Sequence, residues 1–337
     1  MTVAASKKDE RPREGADSWK HKPVSEQSMI EYLLIKRNIL IPSADEFKYP
    51  KPTGKVPVNL EWEQQKRLFP VAILPILARW LFMKTTGYSV NPIVLYLLTI
   101  VYNQLFVRRH YKYLISLSKK HGFLDGEVGR DALPENMTWK VFREFAQGAL
   151  VRPLMVFVLA YNRYELPHLS LWLPVQLAIF TLIADFVYYW AHRATHEVTS
   201  LWRYHQRHHT TKHPVAYLLG FADEPQEVFD ALVSPVLAFL MYPLGFDALY
   251  MWSLYFNSVE IMGHAGIRAY MPAILTSPLL RPFGLELVLE DHDLHHRFGW
   301  RDSYNYGKQS MFWDNIFGTM GERVETAEAN VDYSLTV

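Results

Sequence analysis

The stretch from Tyr188 to His213, YYWAHRATHEVTSLWRYHQRHHTTKH, decides the fold and carries the candidate chemistry. It holds six of the chain's fourteen histidines within 26 residues, and an apolar tract, Leu169 to Trp190, leads into it. A second cluster, Asp291 to His296 (DHDLHH), repeats its spacing almost a hundred residues later. The sequence predicts that these clusters fold together into a histidine-rich metal site at a membrane surface.

The spacing of eight histidines places them on shared helix faces. Residues four apart on a helix differ by about 40° and stand one turn apart. One pair is i, i+4 and two triplets are i, i+3, i+4: His192 and His196; His205, His208 and His209; His292, His295 and His296. Neutral imidazole is a common ligand of iron, zinc, copper and nickel. Eight imidazoles exceed the ligand set of one tetrahedral or octahedral ion, so the count favours two ions.

The composition excludes several kinds of site. The chain has no cysteine, so disulfides, iron–sulfur clusters and thiolate-bound haem are excluded, and a metal must be held by His, Asp or Glu. The net charge of +1 gives no argument for nucleic-acid binding. Hydrophobic residues make up 50% of the chain although the mean hydropathy is only −0.07. This combination indicates apolar segments that alternate with strongly polar ones.

Six apolar tracts predict the fold. They are Leu68 to Met83, Pro92 to Val107, Phe145 to Tyr161, Leu169 to Trp190, Val228 to Leu244 and Ala248 to Met262. The fourth tract is the best candidate for a membrane span. The first two are slightly short for a span and are alternatively buried helices of a soluble protein. The last two are a re-entrant hairpin or interfacial helices. Basic residues in the short loops favour the cytosolic side for both termini and all histidines, with Asn162 to His168 in the lumen. We expect an all-α, multi-span membrane helical bundle with a cytosolic-facing, histidine-rich helical cap.

The three clusters, HRATH, HQRHH and DHDLHH, resemble the histidine boxes of the fatty acid hydroxylase / sterol desaturase superfamily. Three further motifs agree: Asp185 to Arg193 (DFVYYWAHR), Gly263 to Gly266 (GHAG) and Asn305 to Thr319 (NYGKQSMFWDNIFGT). Members of this superfamily are membrane-embedded, iron-dependent enzymes that use O2 to hydroxylate or desaturate lipids. The resemblance implies two iron ions, O2 as co-substrate and a hydrophobic substrate such as a sterol, fatty acyl chain or sphingoid base. It also implies a separate electron donor, such as cytochrome b5 with its NAD(P)H reductase, and a multi-pass protein of the endoplasmic reticulum.

The chain divides into four segments. Residues 1–60 are expected to be a charged, disordered N-terminus to Gln27, a short helix at Ser28 to Lys36 and a proline-rich linker. Residues 61–165 hold N-terminal membrane helices and a connecting segment, 166–321 the fatty acid hydroxylase-like catalytic domain, and 322–337 a C-terminal tail. The first 27 residues show no apolar core of a signal peptide, so an internal helix is expected to act as the targeting signal.

The resemblance adds His264 of GHAG to the predicted metal ligands, which makes nine. His213 stays open between a ligand, a support for one and a solvent-exposed residue. Asp185 lies two turns before His192, and Glu260 lies one turn before His264. Because an ionised carboxylate inside a membrane helix costs a few kcal/mol, we expect each to accept a hydrogen bond from the free N–H of a ligating histidine.

Two other functions are weighed against an oxygenase. A zinc-dependent membrane hydrolase needs three ligands and a glutamate base in an HExxH motif, which the sequence lacks. A non-catalytic metal-binding or transport protein lines several spans with acids and histidines at mid-bilayer, whereas these histidines cluster just beyond the apolar tracts. The sequence therefore favours an O2-dependent oxygenase.

Overall fold

Long helices form the body of the protein, and a computed structural model describes them within residues 16–43, 46–51, 53–301 and 303–337. In chain order the α-helices are α1 (Met29–Arg37), α2 (Glu61–Thr86), α3 (Pro92–His121), α4 (Thr138–Ala160), α5 (Leu173–Glu197), α6 (Thr199–Trp202), α7 (Glu224–Val228), α8 (Ser234–Met241), α9 (Phe246–Gly263), α10 (Ser277–Leu280), α11 (Leu289–Phe298) and α12 (Phe312–Ile316). A π-helical turn, Phe229–Val233, joins α7 to α8. Two strands, β1 (Val56–Val58) and β2 (Val331–Thr336), pair in parallel.

Local sequence determines where these helices begin and end. A capping box of Ser28 and Glu31 opens α1, and Asn38 closes it in the left-handed conformation at φ 52°. The Asn91 side chain caps α3 by accepting from two backbone N–H groups, and Pro92 supplies its first residue. Gly87 ends α2 at φ 73°, and glycine adopts this left-handed conformation without strain. The short amphipathic helix and the six apolar tracts of the sequence are therefore found as helices.

Three helix hairpins turn at one end of the bundle, opposite the histidines. The turn between α2 and α3 meets the turn between α4 and α5, where Arg163 Nε donates to Ser89 Oγ at 2.8 Å. The turn before α9 joins them, because Asp247 accepts from the backbone N–H of His168 at 3.1 Å. The histidine-bearing ends of α5, α9 and α11 therefore lie together at the other end.

A buried ion pair explains the charge inside the first apolar tract. The Arg79 guanidinium, on α2, lies 3.4 Å from the Asp247 carboxylate and donates to the Glu165 carbonyl at 2.9 Å. It also stacks over the Phe246 ring at 4.9 Å. Both charged side chains are nearly fully buried, so the cation is neutralised inside the protein and does not face lipid.

Two helices, α2 and α5, are long and apolar enough to cross a membrane by length and composition. Apolar side chains that point outward continue this surface onto α3 and α4. The exposed ones include Phe69, Leu77, Trp80, Leu81, Leu97, Leu98, Val101, Leu105, Leu154, Val158, Val175 and Ile179. An exposed apolar surface of this extent marks a site of contact with a membrane or a partner.

One expectation about the N-terminus needs correction, and the two ends of the chain add a small sheet to the fold. Of the segment expected to be disordered, residues 1–15 lie outside the described part, but Ser18–His21 and Val24–Glu26 form 3-10 turns. Trp19 is fully buried there, and its indole N–H donates to the Leu133 carbonyl at 2.7 Å. The linker contributes β1, which pairs with β2 of the C-terminal tail. The fold is thus mostly helical with a small sheet, and the tail is part of it.

Candidate metal centre

The structure brings all nine predicted histidines together in two adjacent clusters. In each cluster the ring nitrogens that can bind an ion lie within 4.8 Å of one another. The five-histidine cluster consists of His192, His196, His205, His209 and His295. The four-histidine cluster consists of His208, His264, His292 and His296. All nine side chains are buried, so they converge on the interior and do not form a solvated helix face.

The boxes are divided between the clusters in a way that helical spacing did not predict. His192 and His196 share a face of α5 as expected, and His292, His295 and His296 lie on α11. The second box is not an α-helix, because only His208–Thr210 forms a short 3-10 turn. This tighter backbone directs His208 into the four-histidine cluster and its neighbour His209 into the other. Each of the last two boxes therefore serves both clusters.

Backbone carbonyl oxygens fix the tautomer of several histidines. His192 Nδ1 lies 2.8 Å from the Tyr306 carbonyl oxygen, and His295 Nδ1 lies 2.6 Å from that of Tyr304. Because a carbonyl oxygen only accepts hydrogen bonds, each Nδ1 must carry the proton, and Nε2 is left with a free lone pair. His196, His264 and His296 have the same arrangement with the carbonyls of Trp300, Glu260 and Thr211. This is the support that ligating histidines usually have.

The free lone pairs point at one another. His192 Nε2 and His205 Nε2 lie 3.0 Å apart, and His205 Nδ1 lies 2.6 Å from the Gln226 side-chain oxygen. With both Nδ1 atoms protonated, no hydrogen lies between the two Nε2 atoms, so the contact is repulsive unless a cation binds there. In the other cluster, Nε2 of His264 is 3.2 Å from that of His208 and 3.1 Å from that of His292. The donor set therefore fits metal ions in both clusters.

Unpartnered nitrogens and the charge state agree with this fit. Among the described residues, Nε2 of His196 and His296 has no hydrogen-bond partner although it is buried. Burial lowers the pKa of His295 to about 4 and that of His205 to about 3. Burial and the neighbouring imidazoles also hold the pKa of His208 well below its usual value. These imidazoles are therefore neutral at pH 7, which is the form that binds metals.

Asp185 supports the histidines through a loop and not by direct contact. Its Oδ1 accepts from the backbone N–H groups of Lys308 and Gln309 at 2.8 and 3.0 Å, and its Oδ2 from the Ser310 hydroxyl at 2.6 Å. The predicted hydrogen bond to an imidazole is therefore wrong. Asp185 nevertheless acts on His192 indirectly, because it anchors the loop whose Tyr306 carbonyl accepts the hydrogen bond from this imidazole.

Asp314 holds the same loop from its other side, which the sequence analysis missed. Its two oxygens accept from the backbone N–H groups of Tyr306 and Gly307, each at 2.7 Å. A Cβ atom at Gly307 would clash with the Ser310 carbonyl oxygen and would lie 2.8 Å from Asp314 Oδ2, so the turn requires glycine. The signal available in the sequence was Asp314 itself, an acid within the otherwise apolar and aromatic segment MFWDNIF.

Glu260 also differs from its predicted role. Its backbone carbonyl, and not its carboxylate, accepts from His264 Nδ1 at 2.8 Å. The carboxylate instead pairs with Arg152 at 2.6 Å and with Lys308 at 3.1 Å. Lys308 reaches Asp230 as well, at 3.3 Å. The result is a buried network of two cations and two acids behind the four-histidine cluster.

The remaining histidines lie outside both clusters. His213 is partly buried, and its Nδ1 lies 3.9 Å from an Asp125 oxygen. Its backbone N–H donates to the half-buried Asp131 at 2.8 Å. His213 therefore lies outside both clusters, and its contacts hold the segment after the second box.

A comparison with known proteins agrees with the geometry of the site. The family model for fatty acid hydroxylase matches residues 177–319. The chain is 38% identical to fatty acid hydroxylase vlmA of Lecanicillium sp over 90% of its own length and 93% of that protein. It is 29% identical to methylsterol monooxygenase 2-2 of Arabidopsis thaliana over 48% of the chain and 59% of that protein.

A further match is the very-long-chain aldehyde decarbonylase GL1-8 of Oryza sativa subsp. indica, at 26% identity over 49% of this chain and 62% of that protein. No solved structure matches the chain. The two partial matches span about half of this chain, whereas the match to vlmA spans nearly all of it. With the histidine clusters, these matches show that the chain belongs to the fatty acid hydroxylase / sterol desaturase superfamily.

Proposed function

We propose that the protein is a membrane-bound, non-haem di-iron oxygenase that uses O2 to hydroxylate a fatty acyl chain. The observation that carries this proposal is the convergence of nine buried, neutral imidazoles into two clusters. The only relative above that matches the chain over nearly its whole length is named a fatty acid hydroxylase, which favours an acyl chain over a sterol.

The nine histidines would hold two iron ions, one in each cluster. Iron bound there would supply the activation of O2 for attack on an unactivated C–H bond. Neither cluster contains a carboxylate among the described residues, so the candidate ligand set there consists of imidazoles. The residues of this chain orient the imidazoles through carbonyl oxygens, keep them neutral by burial and exclude water around them.

A cavity of about 180 Å³ beside the clusters suits part of a hydrophobic substrate. It lies between α3, α4, α7, the π-helical turn and α9, with Val107, Leu232 and Ile261 among its apolar walls. Two of its lining residues are neighbours of the site in sequence. Glu227 follows Gln226, which contacts His205, and Ile261 precedes His264 by one turn. The cavity exceeds the ~150 Å³ that holds a benzene-sized molecule.

The membrane arrangement follows from the hairpins and the exposed apolar surface. We propose that α2, α3, α4 and α5 span the bilayer, that α8 and α9 enter it as a hairpin, and that the histidine end faces the cytosol of the endoplasmic reticulum. Cytochrome b5 with its NAD(P)H reductase is the proposed source of electrons. The buried Arg79–Asp247 pair removes the main obstacle to a membrane-embedded α2.

Purified protein in detergent tests the proposal directly. We expect two iron ions per chain by elemental analysis, and a hydroxy fatty acid carrying one 18O atom when the enzyme is given a fatty acid, 18O2, an electron donor and NAD(P)H. Zinc in place of iron, or a product labelled from 18O-water, would contradict the proposal. A desaturated product would be consistent with the di-iron site and would show that the reaction is desaturation and not hydroxylation.

A further inference from the structure

An exposed tryptophan lies at the surface directly above the five-histidine cluster. Trp300 has 45% of its surface exposed, yet its backbone carbonyl accepts the Nδ1–H of the buried His196. Its ring packs on Trp202, with centroids 4.8 Å apart. The buried Trp202 ring in turn contacts the rings of His196 and His209 at 5.3 and 5.9 Å. Two indoles that pack edge to face therefore connect solvent to two predicted metal ligands.

Three cations lie beside this tryptophan or beside Trp202. Lys212 lies 5.2 Å over the Trp300 ring and donates to the Gly299 carbonyl, while Arg301 donates to the Thr199 hydroxyl at 2.7 Å. Arg203 is exposed, directly follows Trp202 and lies 4.6 Å over the Tyr204 ring. Within the described residues, no carboxylate lies within ion-pair distance of any of the three.

The patch lies beyond the hydrocarbon core of the bilayer. The 25 residues of α5 extend about 37 Å, whereas the hydrocarbon core of a bilayer is about 30 Å thick. Arg203 and Trp202 lie past the end of this helix, on the same side as the histidines. In the proposed topology the surface therefore lies at the cytosolic face of the membrane.

We propose that Trp300 with Arg203, Lys212 and Arg301 forms the docking surface for an acidic one-electron carrier protein. This rests on the proposed function: R–H + O2 + 2 e⁻ + 2 H⁺ gives R–OH + H2O, so each turnover oxidises two reduced carriers by one electron each. An aromatic anchor within a rim of like charges is the composition of a protein-docking site, and the unpaired cations select an acidic partner. A lipid anchor would have no need of the ring contacts to His196 and His209.

Binding to the metal-free, full-length protein tests the surface without depending on turnover. The probe is the soluble haem domain of cytochrome b5, with the protein in nanodiscs of zwitterionic lipid. We expect the double variant Arg203→Glu/Arg301→Glu to weaken binding at least tenfold at low salt, with the difference shrinking as added salt screens the charges. Trp300→Ala should weaken binding to a similar degree, and this loss should persist at high salt.

Lys119→Glu/Lys120→Glu is the matched control, because both lysines are exposed cations at the end of α3 on the same side of the bundle. It makes the same charge change away from the patch, and it should leave binding within about twofold of wild type. Equal effects of the control and of the double variant would overturn the proposal. Loss of binding to anionic vesicles, with haem-domain binding unchanged, would also overturn it and identify the patch as a lipid anchor.

Electron delivery separates this inference from the proposed function. Iron-loaded wild type and Arg203→Glu/Arg301→Glu should form equal product in a single turnover after reduction by dithionite, because neither arginine contacts a histidine. Re-oxidation of the reduced haem domain should be at least tenfold slower with the variant. Absence of product from dithionite-reduced wild type would contradict the proposed function, while the binding result would still decide the docking surface.

Discussion

At the scale of the residue, the site depends on which ring nitrogen of each histidine carries the proton. Five backbone carbonyls and one glutamine oxygen each hold an Nδ1–H, so that Nε2 of those rings is free to bind an ion. The spacing of the histidines in the sequence predicted eight of those that take part, and the family resemblance added His264. The sequence did not predict the supporting oxygens, because every residue has a carbonyl and only the fold selects Tyr304, Tyr306 and Trp300.

One prediction at this scale concerns a ligand from each cluster. His208→Ala and His295→Ala should each abolish turnover, and the double variant should be no worse than either single one, because residues that act as a unit are not additive. Iron content, measured by elemental analysis, should fall in each. His168→Ala is the control, since His168 is an exposed residue at the opposite end of the bundle. Full iron content and near-normal oxidation in His208→Ala would remove the basis for two ions.

A second prediction concerns the loop that orients His192. Asp185→Asn keeps the shape but weakens the anchoring of Lys308, Gln309 and Ser310, and it should lower metal affinity or activity by roughly 10–100-fold. Iron loss to a chelator measures the effect. Ser310→Ala removes only one of the three hydrogen bonds, so its rate of iron loss should lie between that of Asp185→Asn and that of wild type. If Asp185→Asn retained iron as long as wild type, the loop would not be what holds the imidazole.

At the scale of the element, the helices were easier to predict than the segments between them. Long apolar tracts have few alternatives to a helix in a membrane, because every backbone polar group must be paired within the segment. The segment HQRHHTT has no such constraint. Its 3-10 turn arises from tertiary packing, which is why spacing alone placed all three of its histidines on one face and the structure divides them.

A third prediction uses α4, which forms a wall of the cavity. Gly148 lines the cavity, and a Cβ atom there meets nothing within 4 Å, so a larger side chain would project into empty space. We expect Gly148→Phe to lower kcat/KM for a fatty acid at least tenfold while iron content stays unchanged. Gly148→Ala should stay active and stabilise the helix by up to about 1 kcal/mol. Unchanged kcat/KM in Gly148→Phe would place the substrate elsewhere.

At the scale of the whole molecule, charge and hydropathy predicted that the histidines gather at one end of the helices, and no pattern predicted the contacts made by the ends of the chain. Basic loops indicated which end of the bundle carries the histidines, and the hairpin turns lie together at the other end. Burial of Trp19 and the pairing of β1 with β2 are long-range contacts that no local pattern encodes. The same holds for Arg323, whose guanidinium binds both Glu286 and Asp291, the first residue of DHDLHH.

A fourth prediction tests the membrane arrangement. The protein should pellet with membranes and require detergent for extraction. A glycosylation acceptor engineered beside His168 should be modified, because the proposed topology places the hairpin turns in the lumen, and one beside His213 should not. The reverse pattern would invert the proposed topology, and recovery in a detergent-free, high-speed supernatant would contradict the membrane-bound interpretation.

The loop carbonyls that hold His192 and His295 also set an order of events in biosynthesis. Tyr306 lies 114 residues after His192, so the carbonyl that orients this imidazole leaves the ribosome well after the first two histidine boxes. These boxes therefore cannot take their final orientation until the segment through Tyr306 has been synthesised and folded. We expect iron to be acquired only after that step, so iron-starved cells should accumulate a membrane-inserted apoprotein that can be activated without new synthesis.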